Sequence, residues 1–324
     1  MNISIALHEG LVDGIPEKPE RFVETVMSDV FIYPTVVRKV YKDNRKGFFT
    51  DLRDLEVRRQ YYAEDFAWNQ GASKDIHLGL RGVQQTEAGA YEIIAAELAD
   101  EWFIEMKRVR DDDTLFRRLN EGTTTREDVA ALAKAQTEAL DALTEEYLHT
   151  FEDLLARGLR DLWHARLDGD LRMFGKNFSD QIAPELTDHR VDTLLNFFHT
   201  HDYFTNMDPD MASVAIDNHA GNVVFHEERP QFIDIHLAKR DWRVIDRNNN
   251  IARIATCVRV LGNNELADAM YEAYQDHHEL APAEVTAFQE AYNAFIKGYY
   301  YTYLKQPDIA KKYFTFADAT LAEL

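Results

Sequence analysis

Three polar side chains between residues 214 and 236 stand where short apolar runs end. The apolar run 214–216 is followed directly by Asp217. Asn222 comes five residues later and precedes a second apolar run, and Asp234 follows a third. This order predicts strand, polar loop, strand, turn and strand. Phosphoryl transfer needs a carboxylate that orients a hydroxyl, and amide and carboxylate oxygens that bind Mg²⁺. The alternative is an ordinary β-hairpin with an Asx turn at Asp217.

A lysine that contacts the phosphates of a nucleotide would complete such a site. The β-branched run 36–41, VVRKVY, predicts a strand that carries Lys39. Lys42 and Lys46 follow closely and compete for the same role. The alternative for Lys39 is an exposed strand lysine, which is a common feature of sheets.

A helix is predicted over residues 51–70, because apolar side chains recur at helical spacing and Gly71 follows them. Glu64 and Asp65 lie in its second half. Either carboxylate could pair with the strand lysine and direct its ammonium group, as phosphoryl transfer in kinases requires. A solvated charged face is the alternative.

Histidines suggest a second kind of site, since His-x-His is a known ligand spacing for zinc. The candidates are His199, His201, Asp202, His219, His226 and His236. No HExxH motif and no cysteine pair accompanies them. A metal-dependent hydrolase is therefore an alternative function with weaker support. The run LDGDLR, with Asp168 and Asp170, lacks an asparagine at the required spacing and is interpreted as an acidic turn.

Composition narrows the class of protein. The 324 residues are 45% hydrophobic and 12% aromatic, which is enough for one large domain or two lobes. The formal charge of −21 argues against a nucleic-acid partner, because phosphate binding needs a basic surface. Cys257 is the single cysteine, so no intrachain disulfide forms and a reducing compartment is expected. With no predicted signal peptide or membrane span, a cytoplasmic location and no membrane partner are expected.

The predicted elements change character near residue 109, after the charged stretch RVRDDD begins. Strands and one long helix dominate residues 1–109, and helices dominate residues 110–324. The predicted helices and strands are helix 1–14, strand 22–32, strand 36–41, helix 51–70, strand 76–84, strand 101–109, helix 124–148, helix 155–167, helix 188–199, helix 251–261, helix 264–276 and helix 282–304. The fold class is therefore α+β, with residues 1–109 as a nucleotide-binding lobe and 110–324 as a catalytic and substrate lobe.

The chain resembles the aminoglycoside phosphotransferase-like kinases, in particular the bacterial branch often fused to a P-loop kinase-like domain. The resemblance extends over roughly residues 16–261. It is carried by ETVMSDVFIYPTVVRKVYK, LEVRRQYYAEDFAWN, DIHLGLRGV, WFIEMKRV, AIDNHAGNVVFHEERPQFIDIH and WRVID. It implies a two-lobed protein-kinase-like fold, with a small antiparallel-sheet lobe containing one long helix and a larger, mainly helical lobe. The P-loop pattern GxxxxGK[ST] is absent from this sequence.

The resemblance also implies roles for individual residues. Asp217 matches the catalytic aspartate, and Asn222 and Asp234 match the ligands of Mg²⁺. Asp246 matches an aspartate that braces the catalytic loop. The residues that would bind ATP match three features of the family: the phosphate-binding lysine of a strand, its glutamate partner on the helix, and the hinge beside the adenine. In this chain they are Lys39, Glu64, Met106, Lys107 and Arg108.

Three departures from the family pattern bear on activity. The residues before Asp217 are Ala215 and Ile216 where the family has His-Gly. The NHAG stretch after it is less basic than in the family, and the segment that matches the nucleotide loop, residues 25–28, lacks glycine. The predicted function is ATP- and Mg²⁺-dependent phosphorylation of a hydroxyl on a small molecule. The alternative from another class is a catalytically degenerate kinase fold that binds nucleotide or a partner.

The acceptor is expected beside the Asp217 loop, between the acidic helices of residues 125–167 and the segment 168–210. Carboxylates that face a cleft attract cationic groups. The segment includes Asp168, Asp170, Asp202, Asp208 and Asp210. If these acids line a cleft, we expect an amino- or hydroxyl-rich acceptor. The alternative is that they form an ordinary solubilising surface.

Overall fold

The chain divides into two units in the computed structural model, which describes residues 2–15, 17–43, 50–87, 89–178 and 184–324. The first unit contains residues 1–111 and 231–240, and the second contains residues 112–230 and 241–324. The predicted lobe limits, 1–109 and 110–324, stay a prediction. In the structure, the ten residues 231–240 pack with the first unit.

A six-stranded sheet, antiparallel at every pair and ordered β1-β2-β3-β6-β4-β5, forms the framework of the first unit. Its elements in chain order are α1 (Ile3–Glu9), β1 (Arg21–Glu24), β2 (Ser28–Ile32), β3 (Val36–Tyr41), α2 (Leu55–Ala72), β4 (His77–Gln85), β5 (Tyr91–Ile94) and β6 (Glu101–Lys107). The predicted strand 22–32 is two strands, because a turn closed by Thr25 and Ser28 interrupts it.

The two faces of this sheet bury different clusters, since neighbouring side chains on a strand point in opposite directions. One cluster packs against α1 and contains Ile3, Leu7, Phe31, Val40 and Phe103. The other packs against α2 and contains Tyr41, Leu52, Tyr61, Tyr62, Trp102 and Ile104. Lys39 is two residues from Tyr41 and therefore lies on the α2 face of β3.

The second unit is mainly helical. Its helices are α3 (Leu115–Glu121), α4 (Arg126–Tyr147), α5 (Glu152–Arg157), α6 (Leu159–His164), α7 (Arg172–Phe178), α8 (Pro184–Thr200), α9 (Asp202–Thr205), α10 (Arg247–Leu261), α11 (Asn264–Gln275), α12 (Ala283–Tyr303) and α13 (Pro307–Leu321). A π-helix, Ala165–Leu171, joins α6 to α7, where an acidic turn is predicted. Helix α13 is absent from the predicted elements.

Four short strands complete the architecture. Strand β7 (Ala212–Val214) pairs antiparallel with β10 (Val244–Asp246), and β8 (Val223–His226) pairs with β9 (Arg229–Phe232). The turn between β8 and β9 places Glu227 and Glu228 at positive φ, which is the conformation of a tight hairpin turn. The predicted α+β class is confirmed, with an antiparallel first unit and a helical second unit. In the described part of the chain, no helix is long and apolar enough to cross a membrane.

Candidate functional site

Lys39 lies between two carboxylates of the first unit. The side chain is 6% exposed, and its Nζ lies 3.5 Å from Oδ2 of Asp65 and pairs directly with Oδ1 of Asp234. Burial by itself would lower the pKa of Lys39, but the two carboxylates outweigh burial and raise it above the ordinary value. The ammonium is therefore charged at neutral pH and held in one place. The structure thus brings together two of the predicted site residues, Lys39 and Asp234.

Side chains of α2 and the residue after it hold the segment that carries Asp234. Asn69 donates from Nδ2 to Oδ1 of Asp65, at 2.9 Å, and its Oδ1 accepts from the backbone N–H of Ile235, at 3.0 Å. Ser73 accepts from the N–H of Phe232 at 2.6 Å. Asp234 itself has φ of 53°, a left-handed conformation that costs about 1 kcal/mol outside glycine. The hydrogen bonds of its neighbours offset this strain.

The helix partner of Lys39 is Asp65, whereas the resemblance implies Glu64. The carboxylate of Glu64 accepts from Gln60 at 2.8 Å and lies 3.6 Å from Nε2 of His236. The two acids are adjacent, so they lie about 100° apart around α2. Asp65 is 2% exposed and faces the sheet, while Glu64 is 35% exposed. The ion pair with the strand lysine must therefore be reassigned to Asp65.

The two competing lysines do not share this environment. Lys42 pairs with Glu24 at 2.6 Å and donates to the carbonyl of Thr25 at 2.7 Å, on the turn between β1 and β2. Lys46 lies outside the described residues. Within the described part of the chain, Lys39 is the candidate lysine that a carboxylate of α2 holds.

The predicted hinge residues stand at the end of β6. Met106 pairs with Val37 and Lys107 with Val36, so both still belong to the sheet. Arg108 follows the strand, donates from its backbone N–H to Thr35 and from its side chain to the carbonyl of Tyr33. A role for these three residues at the adenine of a nucleotide stays a prediction.

Hydrogen bonds from α10 and from the loop itself hold Asp217 in the second unit. Asn250, in the first turn of α10, donates to the carbonyl of Val214 at 2.9 Å and accepts from the N–H of Ile216 at 3.4 Å. Asn218 donates to the carbonyl of Asn250 at 2.7 Å, and Asn222 donates to the carbonyl of Asp217 at 2.8 Å. The structure therefore brings Asp217 and Asn222 together, and this hydrogen bond fixes the orientation of the Asn222 amide.

Two cations neutralise the carboxylate of Asp217. Arg253 of α10 donates to Oδ1, and Nζ of Lys297 on α12 lies 3.9 Å from the same oxygen. Burial would raise the pKa of Asp217, but the positive charges of Arg253 and Lys297 outweigh burial and hold it well below the usual range. Asp217 is therefore an anion throughout the physiological range. Its side chain remains 32% exposed.

A buried polar face on α12 carries one of these cations, and the sequence prediction missed it. Gln289, Asn293 and Lys297 are spaced by four residues and are 0%, 3% and 5% exposed. Gln289 donates to Asp246 at 2.9 Å, and Asn293 donates to Asn249 at 3.0 Å. A signal in the sequence could have found this face, because the three polar residues recur at helical spacing in a helix rich in Tyr and Phe. That spacing predicts a polar contact with a neighbouring helix.

The contacts of Asp246 differ from those of its predicted role, a direct brace of the Asp217 loop. Its carboxylate accepts from the N–H of Asn249 and so caps α10, and it accepts from the indole of Trp163 at 2.7 Å. Burial raises its pKa despite these hydrogen bonds. The direct brace of the loop is Asn250, so the implied role of Asp246 must be corrected.

Two aromatic rings contact one of the histidines proposed for a metal site. His236 packs edge-on against Tyr61 and Trp68. Among the described residues, no group of three or more His, Cys, Asp or Glu side chains has the arrangement of a metal site. The zinc-hydrolase interpretation therefore gains no support.

Three of the five acids named in the segment 168–210 are engaged in local contacts. Arg172 pairs with Asp168 at 3.0 Å and with Asp192 at 2.6 Å. Asp170 accepts from the indole of Trp242 at 2.6 Å, and Asp208 caps a short 3₁₀ turn. These contacts favour the structural interpretation of the acidic segment over a cleft that attracts cations.

Comparison with known sequences finds no match: no family model matches the chain, and no curated protein does. Solved structures do match along nearly the whole chain. A ternary complex of a thermostable mutant of aminoglycoside phosphotransferase APH(4)-Ia with AMP-PNP and hygromycin B has a TM-score of 0.56 at 13% identity, covering 98% of each chain. Choline kinase from Cryptosporidium parvum Iowa II has a TM-score of 0.55 at 11% identity, covering 99% of this chain and 95% of that one.

A gentamicin complex of APH(2")-IIa adds a third match, with a TM-score of 0.52 at 15% identity, covering 100% of this chain and 97% of that one. These likenesses show the fold. The chain has the protein-kinase-like fold of aminoglycoside phosphotransferases and choline kinases, as the resemblance predicted. At this level of identity the likeness does not extend to the acceptor.

Proposed function

We propose that this protein is an ATP- and Mg²⁺-dependent phosphotransferase that acts on a hydroxyl of a small molecule. The observation that carries the proposal is Lys39, a buried lysine of the sheet held by Asp65 of α2. This lysine lies in a fold that small-molecule phosphotransferases share. The net charge of −21 and the single cysteine fit a cytoplasmic enzyme without a nucleic-acid partner.

The residues of the two units suit the parts of a nucleotide that they would bind. Lys39 would contact the phosphates of ATP, while Met106, Lys107 and Arg108 would lie near the adenine. The amide oxygen of Asn222 and the carboxylate of Asp234 are hard oxygen ligands of the kind that Mg²⁺ prefers. Asp234 fits this role because its side chain is 56% exposed while the backbone N–H of the next residue, Ile235, is held by Asn69. Mg²⁺, when bound, would neutralise charge on the triphosphate.

Asp217 would orient the acceptor hydroxyl in this reaction. The hydroxyl oxygen forms a bond to the γ-phosphorus, the bond from that phosphorus to the ADP oxygen breaks, and the hydroxyl proton passes to Asp217 and then to solvent. The lowered pKa of Asp217 makes it a weak base. Its main contribution is therefore a fixed hydrogen bond to the hydroxyl, with proton transfer late in the reaction.

A degenerate kinase fold that binds nucleotide without turnover is the second candidate. The ion pair between Arg253 and Asp217 favours it, because a carboxylate engaged by a guanidinium is less available to a hydroxyl. The turn between β1 and β2 also favours it. Its N–H groups at Thr25 and Ser28 bond within the turn, so they are not directed at phosphates.

A screen for ADP formation with a panel of hydroxylated small molecules tests the proposal. With an acceptor in hand, Asp217→Asn should lower kcat roughly 10²–10⁴-fold while ATP still binds. Asp210→Asn, at an exposed position of the same unit, is the matched control and should retain activity. Unchanged turnover in folded Asp217→Asn would contradict the role of this residue. ATP binding that is independent of Mg²⁺, with no acceptor found, would favour the degenerate fold.

A further inference from the structure

The surroundings of Asp217 are rich in hydrogen-bond donors. Lys297 is 5% exposed, and among the described residues the carboxylate that it faces is Asp217, whose Oδ1 lies 3.9 Å from its Nζ. That distance is too long for a hydrogen bond. Its other contact is the ring of Tyr300, whose centroid is 5.1 Å away. A buried ammonium carries three donors, and the described residues satisfy none of them directly.

His219 adds a fourth donor to the same surroundings. Its Nδ1 accepts from the N–H of Gly221 at 3.1 Å, so in the neutral ring the proton is on Nε2. That Nε2–H has no hydrogen-bond partner among the residues that the structure describes. Asp217 is the carboxylate that these donors face among the described residues, and Arg253 already engages one of its oxygens.

The charges around Asp217 do not cancel. Burial lowers the pKa of Lys297 to about 8, although Asp217 opposes this, so the lysine is mostly protonated at pH 7. One carboxylate then faces two cations, Arg253 and Lys297, which leaves a net charge near +1. Buried charge without compensation is costly, and an additional anion would remove that cost. The carboxylate of Asp217 is one-third exposed, so a ligand can reach this group of side chains.

We propose that the acceptor carries an anionic group, a carboxylate or a phosphate, close to the hydroxyl that becomes phosphorylated. Lys297 and Nε2–H of His219 bind the anion, and Asp217 binds the hydroxyl. The inference rests on the proposed function in taking Asp217 as the residue that orients the hydroxyl. It replaces the expectation of a cationic acceptor, because three of the acids that were to attract one, Asp168, Asp170 and Asp208, have structural partners.

The phosphates of the nucleotide do not account for these donors equally well. Lys39 belongs to the first unit and already supplies a cation for them. Arg253, Lys297 and His219 belong to the second unit together with Asp217. Three residues that converge on the residue proposed for the hydroxyl are better explained by a group on the molecule that bears that hydroxyl.

Calorimetry with four small probes at pH 7, without nucleotide, tests this proposal. Glycerate joins a hydroxyl to a carboxylate, glycerol 3-phosphate joins one to a phosphate, glycerol is neutral and choline is cationic. We expect the two anions to bind at least about tenfold more tightly than glycerol or choline. Tighter glycerate binding would assign a carboxylate, and tighter glycerol 3-phosphate binding a phosphate. Equal binding of all four probes, or no binding of either anion, would overturn the proposal.

Three substitutions locate the binding site. Lys297→Met should weaken anion binding roughly 10- to 100-fold, as expected for loss of a hydrogen-bonded charge, and leave glycerol unaffected. Lys297→Arg keeps the charge and should retain most of the affinity. Lys134→Met, at a lysine that is 63% exposed, is the matched control. If Lys297→Met does not fold, the comparison of probes in the wild type and in Lys297→Arg still decides the outcome.

Three further results separate this inference from the proposed function. Anion binding that is lost in Lys39→Met and kept in Lys297→Met would place the anion at the nucleotide phosphates and overturn the inference. Phosphorylation of choline or glycerol with no preference for anions would also overturn it, while leaving the phosphotransferase intact. Preferential anion binding that depends on Lys297, without ADP formation from any acceptor, would support the anion site and contradict the phosphotransferase.

Discussion

Replacing Asp65 by asparagine distinguishes the two neighbouring carboxylates of α2. At 3.5 Å, the attraction between Asp65 and Lys39 is about 5 kcal/mol for an effective dielectric constant of about 20, before desolvation is subtracted. Asp234 still pairs with Lys39 in the variant. We therefore expect the free energy of unfolding to fall by about 1–3 kcal/mol, below the loss for a buried charge left with no partner. ATP affinity should fall roughly tenfold, because Lys39 is less well held.

Urea denaturation and calorimetry with ATP measure these two effects. Glu64→Gln is the matched control one residue away, and it should change either quantity little because Glu64 is 35% exposed and does not contact Lys39 in the described structure. The carboxylates raise the pKa of Lys39, so the stabilisation is complete at neutral pH and is lost only as the pH rises through that raised value. A larger effect of Glu64→Gln than of Asp65→Asn would refute the reassignment.

Four other predictions follow from the structure. Asp234→Ala should abolish the strengthening of ATP binding by Mg²⁺, measured by calorimetry with and without the metal, and metal dependence that survives would contradict its role. Asn250→Ala should lower the free energy of unfolding by about 2–4 kcal/mol, because the carbonyl of Val214 loses its donor and the N–H of Ile216 loses its acceptor. Thermal melts measure this effect, and an unchanged melting temperature would argue against the brace. Binding of an anionic acceptor should weaken as the pH rises through about 8, where Lys297 loses its charge, and a flat profile between pH 7 and 9 would oppose this. Gly298→Ala should destabilise the protein by about 1–3 kcal/mol in the same melts, because a Cβ there would lie 2.6 Å from the ring of Phe314. An unchanged stability would indicate that the contact between α12 and α13 relaxes.

Local patterns in the sequence predicted the elements whose signals lie within one turn or one strand. The helix predicted over residues 124–148 is an example, since α4 begins there with a capping box in which Thr125 and Asp128 exchange hydrogen bonds. The strand carrying Lys39 has the predicted limits, 36–41. By contrast, the turn in the predicted strand 22–32 depends on a hydroxyl of Thr25 that bonds across three residues. The spacing of apolar residues does not predict a side-chain hydrogen bond of this kind, so the turn could not be predicted from it.

The sequence by itself determined the order Asp217, Asn222 and Asp234, the strand of Lys39 and the α+β class, because each depends on residues close together along the chain. The tertiary structure alone decided between Glu64 and Asp65, since adjacent acids differ only in the direction they take around α2. It alone brought Arg253 and Lys297 to Asp217. These partners come from two helices far along the chain. The charge around the candidate catalytic residue therefore depends on how α10 and α12 pack, which no local pattern specifies.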